Sequence, residues 1–161
     1  CILTEKEFLS EVRQHQGIIY KLVLLYAADE EEKKDMYQEI LLQAWKSLHS
    51  FKGASKFSTW LYRLCINTLL TQKRKKTLVD YTDSLNVYEH ATETSMLADR
   101  AGSLRWAIRK LPEIERAIVS MHLEGYENSE IAAMTGISNN NVAVKLHRSK
   151  QRLQELLKRE A

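Results

Sequence analysis

The spacing of small and apolar residues between positions 128 and 148 constrains this chain more than any other feature. The stretch reads NSEIAAMTGISNNNVAVKLHR. A small Ala132 stands where the helices of a helix-turn-helix approach, Gly136 stands at the turn, and Val142 would point back between the helices. Gly136 can adopt the positive φ that ends the first helix, and the Ser138 hydroxyl can cap the second. This spacing predicts a tight corner of the kind that reads duplex DNA.

The second helix of this corner would divide into an apolar and a polar face. Four apolar side chains would seal the inside of the corner: Ile131, Ile137, Val142 and Leu146. The polar positions would face a DNA groove and its phosphates, and we expect them to bind DNA: Asn139, Asn140, Asn141, Lys145 and Arg148. The alternative, an ordinary helical hairpin within a core, stays open from this segment alone.

Composition favours an all-α chain with two nucleic-acid contacts. The 161 residues include only five Gly and one Pro, and 44% are hydrophobic, which is typical of a helix-rich globular chain. Residues 1–76 carry 13 Lys and Arg against 9 Asp and Glu, residues 77–100 carry 1 against 5, and residues 101–161 carry 10 against 7. Two basic segments around an acidic one favour two separate contacts with nucleic acid.

Catalytic and metal-binding motifs are absent from the sequence. It holds no Gly-rich phosphate loop, no HExxH and no nucleophile elbow, so we expect no enzyme, no cofactor, no metal site and no small-molecule substrate. Cys1 and Cys65 lack metal-ligand spacing and predict reduced thiols. No apolar run is long enough to span a bilayer, and residues 1–26 are too charged for a secretion signal, so we expect a cytoplasmic protein.

Hydrophobic periodicity predicts three helices in the first half. One begins at Thr4, in a capping box with Glu7, and continues to Tyr26. A second begins near Asp29 and a third spans about residues 56–76, with Phe57, Leu61, Leu64 and Thr68 along one stripe. The pattern is lost afterwards. We therefore predict two small helical domains, residues 1–76 with three helices and residues 95–161 with the helix-turn-helix, joined by a flexible linker at 77–94.

A second motif mixes aromatic and basic residues. It reads SFKGASKFSTWLYRLCINTLLTQKRKK and begins at Ser50. Bases released from a duplex can stack on aromatic faces while Lys and Arg hold the strand backbone. The candidates for such a contact are Trp60, Tyr62, Arg63 and Asn67. The same aromatics also fit a core stripe, so the segment alone leaves strand binding and core packing open.

The order of these motifs resembles the sigma-70 family of bacterial transcription initiation factors, in its small extracytoplasmic-function (ECF) class. Residues 35–76 are similar to the second conserved region. The resemblance implies that one helix docks on the β′ clamp of core RNA polymerase through Asp35, Gln38, Glu39, Gln43 and Trp45. It also implies that the loop Phe51–Ser58 captures a base of the −10 element. The −10 strand would be bound by Lys56, Trp60, Arg63 and Asn67.

The second half is similar to the fourth region of that family. The matching segment is LPEIERAIVSMHLEGYENSEIAAMTGISNNNVAVKLHRSKQRL, which implies contacts with the −35 element and with the polymerase β flap. Residues 141–145 read NVAVK where the family usually has Thr-Val-Lys-Ser-Arg. The resemblance further implies promoter DNA and an anti-sigma factor as partners.

Two other functions fit part of the sequence. A stand-alone regulator could bind duplex DNA through the helix-turn-helix, with a sensing domain in the first half. Residues 35–76 argue against it, because a repressor has no physical reason to carry strand-binding aromatic and basic residues. A helical adaptor without DNA function would leave the Asn, Lys and Arg of the last helix unexplained.

Overall fold

The described part of the chain is helical and falls into two compact units. The computed structural model describes residues 3–80 and 100–160, with side chains over 3–75 and 100–159. Within these ranges no strand is present, and the units lie on either side of residues 81–99. The predicted all-α, two-domain class is confirmed. Cys1 and most of the predicted linker lie outside the described residues, while residues 77–80 belong to a helix.

Four α-helices and one 3-10 turn form the first unit. They are α1 (Glu5–Gln14), α2 (Gln16–Tyr26), α3 (Glu30–Lys46), the 3-10 turn Leu48–Ser50 and α4 (Phe57–Asp80). Helices α2, α3 and α4 pack against one another and bury the largest apolar side chains. These are Ile19, Leu22, Tyr26, Ile40, Leu61, Ile66 and Leu69. Such a three-sided helical core fixes how α3 and α4 face each other.

The predicted start signals hold, but the first predicted helix is interrupted. The Thr4 capping box with Glu7 is formed, and the Asp29 side chain accepts a hydrogen bond from the Glu32 amide at 2.8 Å. A break at His15 (φ −111°, ψ 12°) divides the single predicted helix into α1 and α2. The His15 side chain bonds the Glu11 carbonyl at 2.9 Å, and the helix-weakening Gly17 follows. The prediction of three helices in this unit was therefore wrong by one.

Helix α4 differs from its prediction in length and in its buried stripe. It ends at Asp80 rather than near residue 76. Phe57 and Leu61 are buried as predicted, but Leu64 and Thr68 are only half-buried. The core row runs instead through Leu61, Cys65 and Leu69, since contacts with both α2 and α3 decide which face is covered.

The second unit contains α5 (Arg100–Arg109), α6 (Glu113–Leu123), α7 (Asn128–Thr135) and α8 (Asn139–Glu160). Helix α8 packs on the other three. The buried side chains between them include Ile108, Leu111, Ile118, Met121, Ile131, Val142 and Leu146. This arrangement holds α8 by one face along its length.

The turn between α7 and α8 has the geometry that its sequence predicts. Gly136 has φ +76° and ψ 8°, and its amide donates to the Ala132 carbonyl at 2.9 Å. The Asn141 amide donates to the Ser138 hydroxyl at 3.2 Å, so Ser138 caps α8. Ile131 and Val142 are fully buried, whereas Ala132 and Ile137 are half-buried. The predicted helix-turn-helix is therefore formed.

Two glycines allow the effect of backbone strain to be tested apart from that of side-chain crowding. A Cβ at Gly136 or at Gly17 would meet nothing within 4 Å, and of these two glycines Gly136 alone has a positive φ. We expect Gly136→Ala to destabilise the second unit by about 1–2 kcal/mol, because an L-residue is strained there. Gly17→Ala, in the first turn of α2, should stabilise the first unit by about 0.4–1 kcal/mol, because alanine restricts the unfolded chain. Hydrogen exchange resolved along the chain measures both; effects of the same sign would contradict the assignment.

Candidate nucleic-acid interfaces

Helix α8 presents an exposed polar face opposite its buried row. Its buried positions are Val142, Leu146, Ser149 and Leu153. Lys145 is half-buried. The other predicted DNA-binding residues are exposed, namely Asn139, Asn140, Asn141 and Arg148. The α8 surface is therefore open to a duplex, as such a reading helix requires.

The exposed residues of α8 do not all share one stripe. Asn141, Lys145 and Arg148 follow i, i+4, i+7 spacing and lie on one side of the helix. Asn140 lies on the neighbouring stripe, and Asn139 begins the helix on the other flank. Val144, which was not among the predicted site residues, lies between these stripes and is 40% exposed. The sequence alone does not show that Val144 is exposed, because its exposure follows from which other residues of α8 are buried.

Side-chain bonds hold α5, α6 and α8 in position. The Arg116 guanidinium donates to the Leu111 carbonyl from Nε at 3.3 Å and from Nη2 at 3.0 Å, which joins α6 to the turn between α5 and α6. The buried Ser149 hydroxyl donates to the Glu115 carboxylate at 3.4 Å. These bonds satisfy polar groups beneath α8, so its exposed face is carried on a fixed support.

A groove of about 530 Å³ runs between α3 and α4 in the first unit. Its walls are three rows of residues spaced four apart, so that each row follows one helix face. One row comes from α3 and its C-cap, namely Glu39, Gln43 and Ser47. The two rows of α4 are Trp60, Leu64, Thr68 and Gln72, and Arg63, Asn67, Thr71 and Lys75. Ser50 of the 3-10 turn also lines the groove. Three predicted −10 residues, Trp60, Arg63 and Asn67, are brought together here. Lys56 does not line this groove.

An aromatic cluster lies around Trp60, at the first turn of α4. The ring centroids of Phe51 and Phe57 lie 5.6 and 5.4 Å from that of Trp60. Phe57 is buried, whereas Trp60 is half-buried and lines the groove. Trp60 is thus held by packing on one side and accessible on the other, which is the requirement for a stacking platform.

The predicted base-capturing loop, Phe51–Ser58, is shorter in the structure because α4 begins at Phe57. Residues 52–56 are all exposed, and Gly53 has φ +75°. The Trp60 amide donates a hydrogen bond to the backbone carbonyl of the exposed Lys56 at 3.1 Å. The loop therefore joins the groove at the aromatic cluster, with a cation at its end.

The five predicted polymerase-binding residues of α3 separate into two groups. Asp35, Gln38 and Trp45 are exposed, and the exposed Leu42 lies among them at i, i+3, i+7, i+10 spacing. The Trp45 ring makes an edge contact with Phe8 of α1 at 5.5 Å between centroids. By contrast, Glu39 and Gln43 are half-buried and belong to the groove. Sequence reasoning missed Leu42, although its spacing from Asp35 is a visible signal.

Burial raises two pKa values in the first unit. Desolvation raises the pKa of the Cys65 thiol to about 12, because a buried site disfavours the thiolate. Burial, followed by the charge and hydrogen bond of Tyr20, raises the pKa of Tyr37, whose ring stacks on Tyr20 at 5.0 Å between centroids. Neither residue lines the α3–α4 groove.

Two further properties concern the described residues only. No three His, Cys, Asp or Glu side chains in residues 3–80 and 100–160 are arranged to hold a metal ion. Among the helices described, none combines the length and apolar character that a bilayer crossing needs.

Two family models match this chain. The model of Sigma-70 region 2 matches residues 12–78, and that of Sigma-70, region 4 matches residues 102–153. The chain therefore belongs to the sigma-70 family. The first match begins well before residue 35, where the most specific motif of that region starts.

Curated relatives assign the class. The chain is 27% identical over 146 residues to the ECF RNA polymerase sigma factor SigM of Mycobacterium tuberculosis, covering 90% of this chain and 74% of that protein. It is 26% identical over 166 residues to SigW of Bacillus subtilis, with 94% and 89% covered. The ECF sigma-E factor of Escherichia coli is 29% identical over 174 residues, with 96% and 91% covered. The chain is thus an ECF sigma factor, a non-catalytic protein that directs promoter recognition.

Solved structures share the fold. The sigma factor RpoE of Bartonella quintana, in complex with the anti-sigma factor NepR, matches with a TM-score of 0.73 at 22% identity, covering 95% of this chain and 98% of that chain. CnrH in complex with the cytosolic domain of CnrY matches with a TM-score of 0.69 at 22% identity, covering 98% and 92%.

The environment of Cys65 predicts an unreactive thiol. Since the thiolate is the nucleophile, a pKa above the ordinary value lowers the reactive fraction at any given pH, and full burial blocks the reagent. We expect a Cys1→Ser variant, in which Cys65 is the remaining thiol, to resist iodoacetamide at mildly alkaline pH and to react once unfolded in guanidinium. Mass spectrometry measures the modification, and rapid labelling of the folded variant would contradict the prediction.

Proposed function

We propose that this sigma factor binds the −35 element as duplex through α8 and the −10 element as an opened strand through the α3–α4 groove. The observation that carries the proposal is the convergence of Trp60, Arg63 and Asn67 on one groove. A stacking ring, a cation and an amide side by side suit an unpaired strand better than a duplex. The ligand proposed for each of the other surfaces follows from the chemistry of its side chains.

The α8 surface suits the major groove of a duplex. Lys145 and Arg148 are cations for phosphate oxygens, which supply affinity without sequence information. Asn140 and Asn141 carry amides that can pair with adenine, and an exposed Val144 can contact a thymine methyl group. Asn139, on the other flank at the start of the helix, is better suited to a phosphate.

The outer face of α3 suits a protein partner. Its exposed Leu42 and Trp45 are large apolar side chains beside the polar Asp35 and Gln38, a combination typical of protein interfaces. We propose that Asp35, Gln38 and Trp45 dock on the β′ clamp of core RNA polymerase, in the cytoplasm. The β flap and an anti-sigma factor are further proposed partners, the latter because the related RpoE of Bartonella quintana is bound to NepR.

Two cations on α8 test the duplex contact. Replacing Arg148 by Ala should weaken binding to all duplex sequences and lower the slope of log affinity against log salt by about 0.9, the loss of one phosphate contact. Lys150 is exposed and lies about 160° around the helix from Arg148, so Lys150→Ala removes the same charge as a matched control. Fluorescence anisotropy at several salt concentrations measures both slopes. Equal slopes for the two variants would remove Arg148 from the interface.

Two tryptophans of the first unit test promoter opening. We expect the chain to co-elute with bacterial core RNA polymerase and to open a promoter duplex. Trp60→Ala should lower opening with co-elution intact, since stacking contributes about 1–3 kcal/mol per base. Trp45→Ala, on the outer face of α3, should instead weaken co-elution. Circular dichroism checks folding of both variants.

Either of two outcomes would contradict the proposal. Duplex binding by the chain without any association with polymerase would favour a stand-alone regulator. Loss of folding in Trp60→Ala, together with normal opening by a folded Trp60→Leu variant, which keeps apolar volume but has no aromatic face, would assign Trp60 to the core.

A further inference from the structure

Val144 lies at the centre of the exposed face of α8. It follows the fully buried Val142 by two residues, about 200° around the helix, and it is 40% exposed. Its neighbours at three and four residues along the helix are all exposed and polar, namely Asn140, Asn141, His147 and Arg148. The outermost line of α8 therefore carries one apolar side chain among polar ones.

The surroundings of Val144 do not suit an apolar protein partner. Such a partner needs a patch of several neighbouring apolar side chains. Among the residues described in the second unit, the other large exposed apolar side chain is Leu123, which ends α6. On α8, Val144 is flanked by amides, an imidazole and a guanidinium, which are groups that bind base edges and phosphates. Within a DNA major groove, the apolar group available to Val144 is the methyl group on C5 of a pyrimidine.

We infer that Val144 reads this C5 methyl group in the −35 duplex, so that binding to promoter DNA increases when a cytosine at that position is methylated at C5. Thymine and 5-methylcytosine carry the same methyl group on the same ring atom. A valine side chain forms no hydrogen bond, so it does not distinguish the O4 of thymine from the N4 amino group of cytosine. The inference rests on the proposed duplex binding by α8 and extends it to a modified base.

The branched shape of Val144 favours a contact with a methyl group. In a helix, valine strongly prefers one χ1 rotamer, so both of its methyl groups are held in place before DNA binds. Little side-chain freedom is then lost on binding. The family usually has Ser at this position, and a hydroxyl group instead forms hydrogen bonds with base and phosphate atoms. Dependence on a methyl group is therefore expected of Val144 and not of the usual serine.

Base analogues measure the methyl contact on the complete holoenzyme. The chain is bound to bacterial core RNA polymerase, and duplexes are selected from a library that is randomised over the −35 and −10 elements. In a selected duplex, each thymine is replaced singly by deoxyuridine, which lacks only the methyl group. One replacement in the −35 element should lower the affinity roughly fourfold, the equivalent of one buried methylene group. Competition binding measures the affinities.

The same position then tests the response to methylation. Duplexes are prepared with cytosine or with 5-methylcytosine at this position, each paired with guanine. Methylation should raise the affinity of the wild-type holoenzyme roughly fourfold, because it restores the methyl group without restoring thymine.

Three variants assign both effects to one side chain. Val144→Ala and Val144→Ser lack both γ-methyl groups and should lose the deoxyuridine penalty and the methylation gain. Leu123→Ser removes an exposed apolar side chain from the same unit, outside α8, and should keep both effects. Circular dichroism checks that the variants are folded, as expected for changes at exposed positions.

The outcomes separate this inference from the function on which it rests. If the wild-type holoenzyme selects no −35 sequence, the proposed duplex binding itself fails. If it selects one in which no deoxyuridine replacement lowers the affinity, or if Val144→Ser keeps the penalty, the inference alone is overturned. A deoxyuridine penalty without any gain from 5-methylcytosine would also overturn it, because the contact would then depend on the whole thymine base pair.

Discussion

The division of α4 between the core and the groove is the constraint on which the first unit depends. A helix repeats its faces every 3.6 residues, so the row of Leu61, Cys65 and Leu69 can be buried only if the row beginning at Arg63 is left outside. Full burial of a leucine contributes about 1.5–3 kcal/mol, which fixes the rotation of α4 more strongly than any surface charge could. The orientation of the groove therefore follows from core packing.

The same packing explains why α3 leaves two separate faces uncovered. Met36, Ile40 and Ala44 are buried against the other helices, and the remaining circumference is shared between the groove and solvent. The ion pair of Lys73 with Glu32, at 2.7 Å and with both side chains about 15% exposed, joins the far end of α4 to the start of α3. One helix thus presents two separate surfaces, one in the groove and one to solvent.

Several local features were predictable because they depend on residues close in sequence. The Thr4 and Asp29 caps, the positive φ of Gly136 and the cap by Ser138 each involve at most four consecutive peptide units. The break at His15 and the choice of buried row on α4 were not predictable in this way. Periodicity favoured Leu64 and Thr68, and only contacts with α2 and α3 assign that face to the groove.

The sequence by itself determined the all-α class, the helix-turn-helix and the polar surface of α8, since helix periodicity and turn chemistry are local. It also carried the sigma-70 motifs. Tertiary structure decided that Glu39 and Gln43 share a groove with Trp60, Arg63 and Asn67, while Asp35 and Trp45 face outward. The physical reason is that neighbouring residues on a helix point in different directions, so a side chain's partner is chosen by the helix packed beside it.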